Sequence, residues 1–210
     1  MDAGFWHRRW ESNEIGFHQG KANALLVRHF AALALPEHAR IFVPLCGKTR
    51  DIAWLLSRGY RVVGAELSRL AVEQLFEELG VEPETSPSGP LLRFAAGAVE
   101  VFVGDVFDLT AEMLGAVDAV YDRAALVALP AGLRERYATH VAAITRSAPQ
   151  FLICMEYDQS VRQGPPFSID GAEVRRVHGA RYQVTELART DLEGGLKAAG
   201  SVQETVWLLR

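Results

Sequence analysis

Apolar positions change their rhythm along this chain. In the first third of a hundred residues they recur at helical spacing. Over residues 3–11 Phe5, Trp6 and Trp10 gather on one side, Trp6 and Trp10 being four apart, and a short helix is expected. Residues 22–33, ANALLVRHFAAL, read as a second amphipathic helix. The texture then becomes short apolar runs alternating with helical segments. RIFVPL is a strand, and TRDIAWLLSRG is a helix closing at Gly59. YRVVGAEL is a strand, and SRLAVEQLFEELG is a helix with Ser68 as N-cap and Gly80 at its end. This βαβα order predicts a parallel sheet with helices on its faces. Residues 81–90, VEPETSPSGP, are polar and turn-rich and predict a surface loop.

Beyond that loop, RFAAGAVEVFVGDVFDL predicts two strands in a hairpin-like arrangement, followed by Asp105. AVDAVYDRAAL is a strand entering a turn at Asp122 and Arg123. GLRERYATHVAAITRSA is a long helix stopped before Pro149, and QFLICMEYD is a fifth core strand. QGPPF is a rigid loop, and YQVTELART and SVQETVWLLR predict an antiparallel pair. One doubly wound α/β domain with an N-terminal helical extension accounts for this order.

Composition and charge remove several function classes. The 210 residues suit one domain. The 22 basic and 26 acidic side chains leave a net charge of −4, which disfavours nucleic acid as a partner because phosphate binding needs a basic surface. No apolar run reaches the ~20 residues of a membrane helix, and the N-terminus lacks the pattern of a signal peptide. The two cysteines, Cys46 and Cys154, fall in apolar runs, so a disulfide scaffold is not expected and a cytoplasmic location is. No His, Cys and Asp cluster has metal-ligand spacing. PLCGKTRD ends like a phosphate-binding loop, but that loop needs a glycine at position 42, where Phe42 stands, and Pro44 has no N–H to offer.

In open α/β sheets ligands bind beyond the carboxyl ends of the strands. Glu66 ends the second strand, 19 residues past Gly47, an offset at which a carboxylate accepts from ribose hydroxyls; the alternative is a solvated surface acid. The first turn has one glycine, too few to press backbone against a pyrophosphate, so a ligand with adenosine and no phosphate, such as S-adenosylmethionine, suits it better. Asp105 reads as an adenine contact or as a helix cap. Arg123, amid apolar sequence, reads as a contact to cofactor or substrate, or as half of a salt bridge with Asp122 or Asp118. Trp6 and Trp10 are core staples or a lid, His18 is a general base or a structural histidine, and Cys46 is packing.

The segments FWHRRWESNEIGFHQ, FVPLCGKTRDIAWL, GYRVVGAELS, VFDL, YDRAALVAL and GPPF, in this order, resemble the thiopurine S-methyltransferases, most closely the bacterial ones. The resemblance implies a single Rossmann-like class I methyltransferase domain. Its sheet would be mostly parallel and seven-stranded, with helices on both faces and an antiparallel C-terminal strand. Residues 1–36 would form a helical lid and 37–210 the S-adenosylmethionine-binding core. It implies cofactor contacts from Trp10, Leu45, Glu66, Asp105, Val106 and Arg123, substrate contacts from Phe17 and Phe167, and a catalytic role for Arg123. Gly164, Pro165, Pro166 and Phe167 would close over a flat substrate. Ala124 departs from a glycine found in animal members. The implied reaction is S-methylation of an aromatic or heterocyclic thiol by a monomer in the cytoplasm. Three alternatives stand beside it: selenium or tellurium compounds as the physiological substrates, non-catalytic S-adenosylmethionine binding, and an NAD-dependent dehydrogenase, which the missing glycines oppose.

Overall fold

A computed structural model describes residues 3–16, 18–192 and 201–210. Its centre is a sheet of nine strands in the order β3-β4-β5-β2-β1-β6-β7-β9-β8. β1 (Arg40–Pro44) and β2 (Arg61–Glu66) run parallel at its middle, with β5 (Val99–Val103), β6 (Ala119–Arg123) and β7 (Gln150–Glu156) parallel beside them. β9 (Gln203–Leu209) lies antiparallel to both β7 and β8 (Val184–Asp191). These seven strands are the expected sheet with its antiparallel C-terminal strand. A hairpin of β3 (Glu84–Ser88) and β4 (Leu91–Ala96) widens it to nine, β4 pairing with β5.

β3 falls on the stretch expected to be a loop. Its side chains are mostly exposed, so it has no apolar alternation to read, and Pro87 is tolerable because the strand forms the sheet's edge. The second expected helix is shorter than its apolar run. α2 (Ala24–His29) gives way to a tighter 3-10 turn over Phe30–Leu33, ended by Ala34 at φ 52°.

Alternation along the buried strands builds two cores. Ile41 and Val43 face one side with Leu26, Phe30, Ile52 and Leu75, while Phe42 and Val63 face the other with Tyr137 and Trp207. α1 (Ala3–Glu11), α2, α3 (Arg50–Ser57) and α4 (Arg69–Leu79) precede the hairpin. α5 (Ala111–Leu114), α6 (Ala131–Ile144) and α7 (Gly171–His178) follow it. Caps set the boundaries: Asn23 accepts from the N–H of Leu25 and Leu26, Ser68 from that of Ala71, and Gly80 ends α4 at φ 71°. α7 was not legible in the sequence, since only Val174, Val177 and His178 are buried along it.

The chain runs from β1 outward to β2 and β5, then returns to β6 on the opposite side of β1. Strand order therefore reverses at β1, and a crevice opens at the carboxyl ends of β1, β2 and β6. The N-terminal segment is tied down beside it. The Asn23 N–H donates to Asp51 at 2.7 Å, and the Tyr121 hydroxyl donates to the same carboxylate at 2.9 Å.

Candidate active site

The crevice is a cavity of about 510 Å³. Four residues expected from the sequence to share a site, Trp10, Leu45, Glu66 and Arg123, line it together. They come from α1, the β1–α3 turn, the end of β2 and the end of β6.

The β1–α3 turn is held open by two successive departures from ordinary backbone. Leu45 has φ 48° and Gly47 φ 52°. A Cβ on Gly47 would stand 3.0 Å from the Trp10 ring, so the glycine serves both the turn and the close approach of α1. Trp10 is 5% exposed.

Glu66 joins the first two turns. One carboxylate oxygen accepts from the Gly47 N–H at 2.8 Å and the other from the Ser68 N–H at 2.8 Å. Burial raises its pKa, and the N–H groups of Ser68, Gly47 and Leu67 oppose that rise. The side chain is 7% exposed, which rejects the solvated alternative. An ionised carboxylate has about four lone-pair sites, so two remain for a ligand's hydroxyl groups. A single-glycine turn, a carboxylate with acceptor capacity to spare and an indole against the glycine form a donor and acceptor set that fits a ribose-bearing, phosphate-free ligand.

Arg123 is half-buried at the end of β6, and among the described residues its guanidinium has no hydrogen-bond or ion-pair partner. The two acids weighed as its partners are engaged elsewhere, and the acid whose charge reaches it is buried Glu204, whose carboxyl pKa burial raises and Arg123 holds down. Asp118 accepts from the Arg40 N–H at 2.7 Å. Asp122 accepts from the Tyr137 hydroxyl at 2.7 Å and from the Leu126 N–H at 3.1 Å. Burial lifts the Asp122 pKa to about 6 against these bonds. Next to Arg123, Ala124 lines the cavity at φ 65°, a conformation that suits the glycine of animal members.

The remaining expected residues lie apart from the cavity's walls. Asp105 is exposed and accepts from the Phe107 N–H at 3.0 Å, the capping role weighed for it. Val106 is buried in the second core. Their turn still adjoins the site, because the Gly104 N–H donates to the Glu66 carbonyl at 2.9 Å. Phe167 is pinned by its N–H to the Val127 carbonyl at 2.7 Å, with the Arg134 guanidinium 5.6 Å from its ring centre. Pro165 and Pro166, rather than Phe167, face the cavity. Phe17 lies outside the described residues.

Other lining residues were not singled out as contacts. Met155 stands two residues beyond Ile153, the register partner of Arg123, and so shares the face of Arg123; strand parity was the available signal. His18 also lines the cavity. Cys46 does too, but burial and the Glu66 carboxylate push its thiol pKa well up, leaving it neutral. Among the described residues no group of three or more His, Cys, Asp or Glu is gathered for a metal, and no helix is long and apolar enough to cross a membrane.

Comparison with known proteins agrees with this geometry. The family model described as Thiopurine S-methyltransferase (TPMT) matches residues 1–210. A thiopurine S-methyltransferase of Xanthobacter autotrophicus is 56% identical over 210 residues, covering 100% of this chain and 99% of the relative. One of Gluconobacter oxydans is 48% identical, covering 98% and 94%. Among solved structures, a Burkholderia thailandensis 1,6-didemethyltoxoflavin-N1-methyltransferase with bound S-adenosylhomocysteine shares the fold. Its TM-score is 0.65 at 15% identity, covering 99% of this chain and 86% of that one. A TehB-like methyltransferase from Corynebacterium glutamicum has a TM-score of 0.58 at 11% identity, covering 99% and 98%.

Proposed function

Because the chain belongs to the thiopurine S-methyltransferase family, we infer that it methylates the sulfur of aromatic or heterocyclic thiols such as thiopurines, with S-adenosylmethionine as methyl donor. The observation that carries this reading is the pairing of Glu66, with acceptor capacity to spare, and Arg123, a cation with no hydrogen bond or close ion pair among the described residues, across one cavity.

Glu66 receives the ribose hydroxyls, while Trp10 and Leu45 shape the first turn around the cofactor. Asp105 and Val106 flank its adenine side. When bound, the cofactor supplies an electrophilic methyl group on a sulfonium. Arg123 contacts cofactor and substrate and acts catalytically by favouring the thiolate over the thiol. It stays protonated and cannot itself take the proton. Phe17 and Phe167 are assigned to the substrate by resemblance to the family alone. Residues 1–36 act as a helical lid over the core of 37–210, and the tie of Asn23 to Asp51 supports that closure. The lid and the apolar wall around Val127 and Met155 exclude water and orient a flat thiol. The protein works as a monomer in the cytoplasm, a location in keeping with its two buried free cysteines.

Methyl-labelled S-adenosylmethionine and a panel of a 6-thiopurine, aromatic thiols and selenite test the reading. Label on the aromatic thiols is expected, and Arg123→Ala should lower kcat about 100-fold while S-adenosylhomocysteine affinity changes much less. Cofactor binding without transfer to any acceptor would reduce the protein to a binding module. Transfer to selenite alone would make selenium compounds the substrate.

A further inference from the structure

Methylating a thiol releases a proton, and the residues named so far do not account for it. Arg9, Lys48, Arg123 and Arg162 line the cavity but are cations with no acceptor to offer. Glu66 is taken up by two backbone N–H groups and, in its remaining lone-pair sites, by the ribose hydroxyls assigned to it above. Cys46 is a neutral thiol. Of the cavity's titratable side chains, His18 remains.

Of the histidines among the described residues, His18 is the one that lines the cavity. His140 is 2.8 Å from the Val106 carbonyl, His38 is 3.2 Å from the Gly59 carbonyl, and His178 is shut in behind Tyr182. The His18 main chain is fixed by its N–H to the Ile15 carbonyl at 2.7 Å, yet neither ring nitrogen is engaged by a described residue. A held imidazole with unengaged nitrogens in a substrate-sized cavity is equipped to take a proton. We propose that His18 is the catalytic base that accepts the proton of the substrate thiol, a role that rests on the S-methyltransferase reading above.

The charges facing His18 come from several elements: Lys48 in the β1–α3 turn, Arg50 on α3, Glu78 on α4 and Arg123 on β6. Burial lowers its pKa most; Glu78 opposes this, and Lys48, Arg50 and Arg123 add to the lowering. The imidazole is therefore neutral at neutral pH. In the step, the S–H proton moves to a ring nitrogen and its bonding pair stays on sulfur. The thiolate sulfur bonds to the methyl carbon while that carbon's bond to the sulfonium sulfur breaks, the pair staying on the departing sulfur. The imidazolium, crowded by cations, passes the proton to water.

A series of thiols of graded acidity tests this, from 4-nitrothiophenol, ionised at neutral pH, to phenylmethanethiol, whose sulfur is almost wholly protonated there. A base matters only where there is a proton to remove. His18→Gln should raise the ratio of kcat/KM for the ionised over the protonated thiol by about 100-fold. In His18→Ala, added imidazole should restore activity with the protonated thiol. Apart from activity, the imidazole signal lost in His18→Gln should titrate below the ordinary histidine range in NMR spectra of the wild type. An equal loss across the series, with S-adenosylhomocysteine affinity kept, would overturn the proposal alone. So would a signal titrating above neutrality. No transfer to any thiol by the wild type would remove the functional reading and this proposal with it.

Discussion

Glu66 and Asp122 are both buried carboxylates near the carboxyl ends of the two strands that flank β1, and burial raises the pKa of both. Each accepts a backbone N–H from the turn that follows. Yet Glu66 lines the cavity, while Asp122 points to the opposite side of the sheet and accepts from Tyr137. Side chains alternate across a strand, so the cavity at β6 receives Arg123 instead. One strand end offers the cavity an acceptor and its counterpart a cation. Position at a strand's end nominates a residue, and parity along the strand decides whether it meets the ligand.

Exchanging each acid separates these roles. The largest effect is expected at Glu66, where Glu66→Ala removes the acceptor for two ribose hydroxyls and leaves the N–H groups of Gly47 and Ser68 without their partner. At roughly 1.5–3 kcal/mol for each hydrogen bond to a charged group, cofactor affinity should fall about 1,000-fold. Calorimetric titration with S-adenosylhomocysteine measures it. A loss under tenfold would mean that Glu66 serves only the turns.

Asp122→Asn should leave that affinity nearly intact and change the pH dependence of stability. The folded pKa of Asp122, about 6, lies above its ordinary 3.8, so the native state holds the proton that the unfolded chain releases. Its contribution is fully present below about pH 4 and is lost as pH rises through about 6. The loss is on the order of 2–3 kcal/mol. Urea unfolding of wild type and Asp122→Asn at pH 4 and pH 7 should show the wild type losing more between the two. Parallel curves would remove Asp122 from the linkage.

Much of this architecture was legible because apolar runs report buried strands and caps report helix ends. Ser68 and Gly80 delimit α4 in the sequence as they do in the structure. What escaped had a physical reason. β3 lies exposed at the sheet's edge, so nothing selects apolar residues for it. Asp105 sits where an adenine contact was expected, but a short acidic side chain before a turn is also the common cap, and sequence does not separate the two uses. That Arg123 does not pair with Asp118 depends on Asp118 binding the Arg40 N–H, a contact spanning 78 residues. His18 comes to the cavity only through the packing of the N-terminal segment against the strand ends.

The smallest effect sharpens the Glu66 side of the comparison. Gly47 donates to Glu66 and lies beneath Trp10, so Gly47→Ala tests whether the indole sets the shape of the turn. Its φ of 52° alone makes alanine cost about 1 kcal/mol. Gly59, at φ 83° with nothing within 4 Å of a Cβ, carries the backbone cost without a neighbour and serves as control. Both variants should lose similar stability in urea unfolding, but only Gly47→Ala should displace Trp10. Tryptophan emission should then shift in that variant, and S-adenosylhomocysteine affinity should weaken by a few-fold, about 1 kcal/mol or less. If the two variants match in emission and affinity as well as in stability, Trp10 yields without consequence. Glu66 alone would then define the first turn as a ligand site.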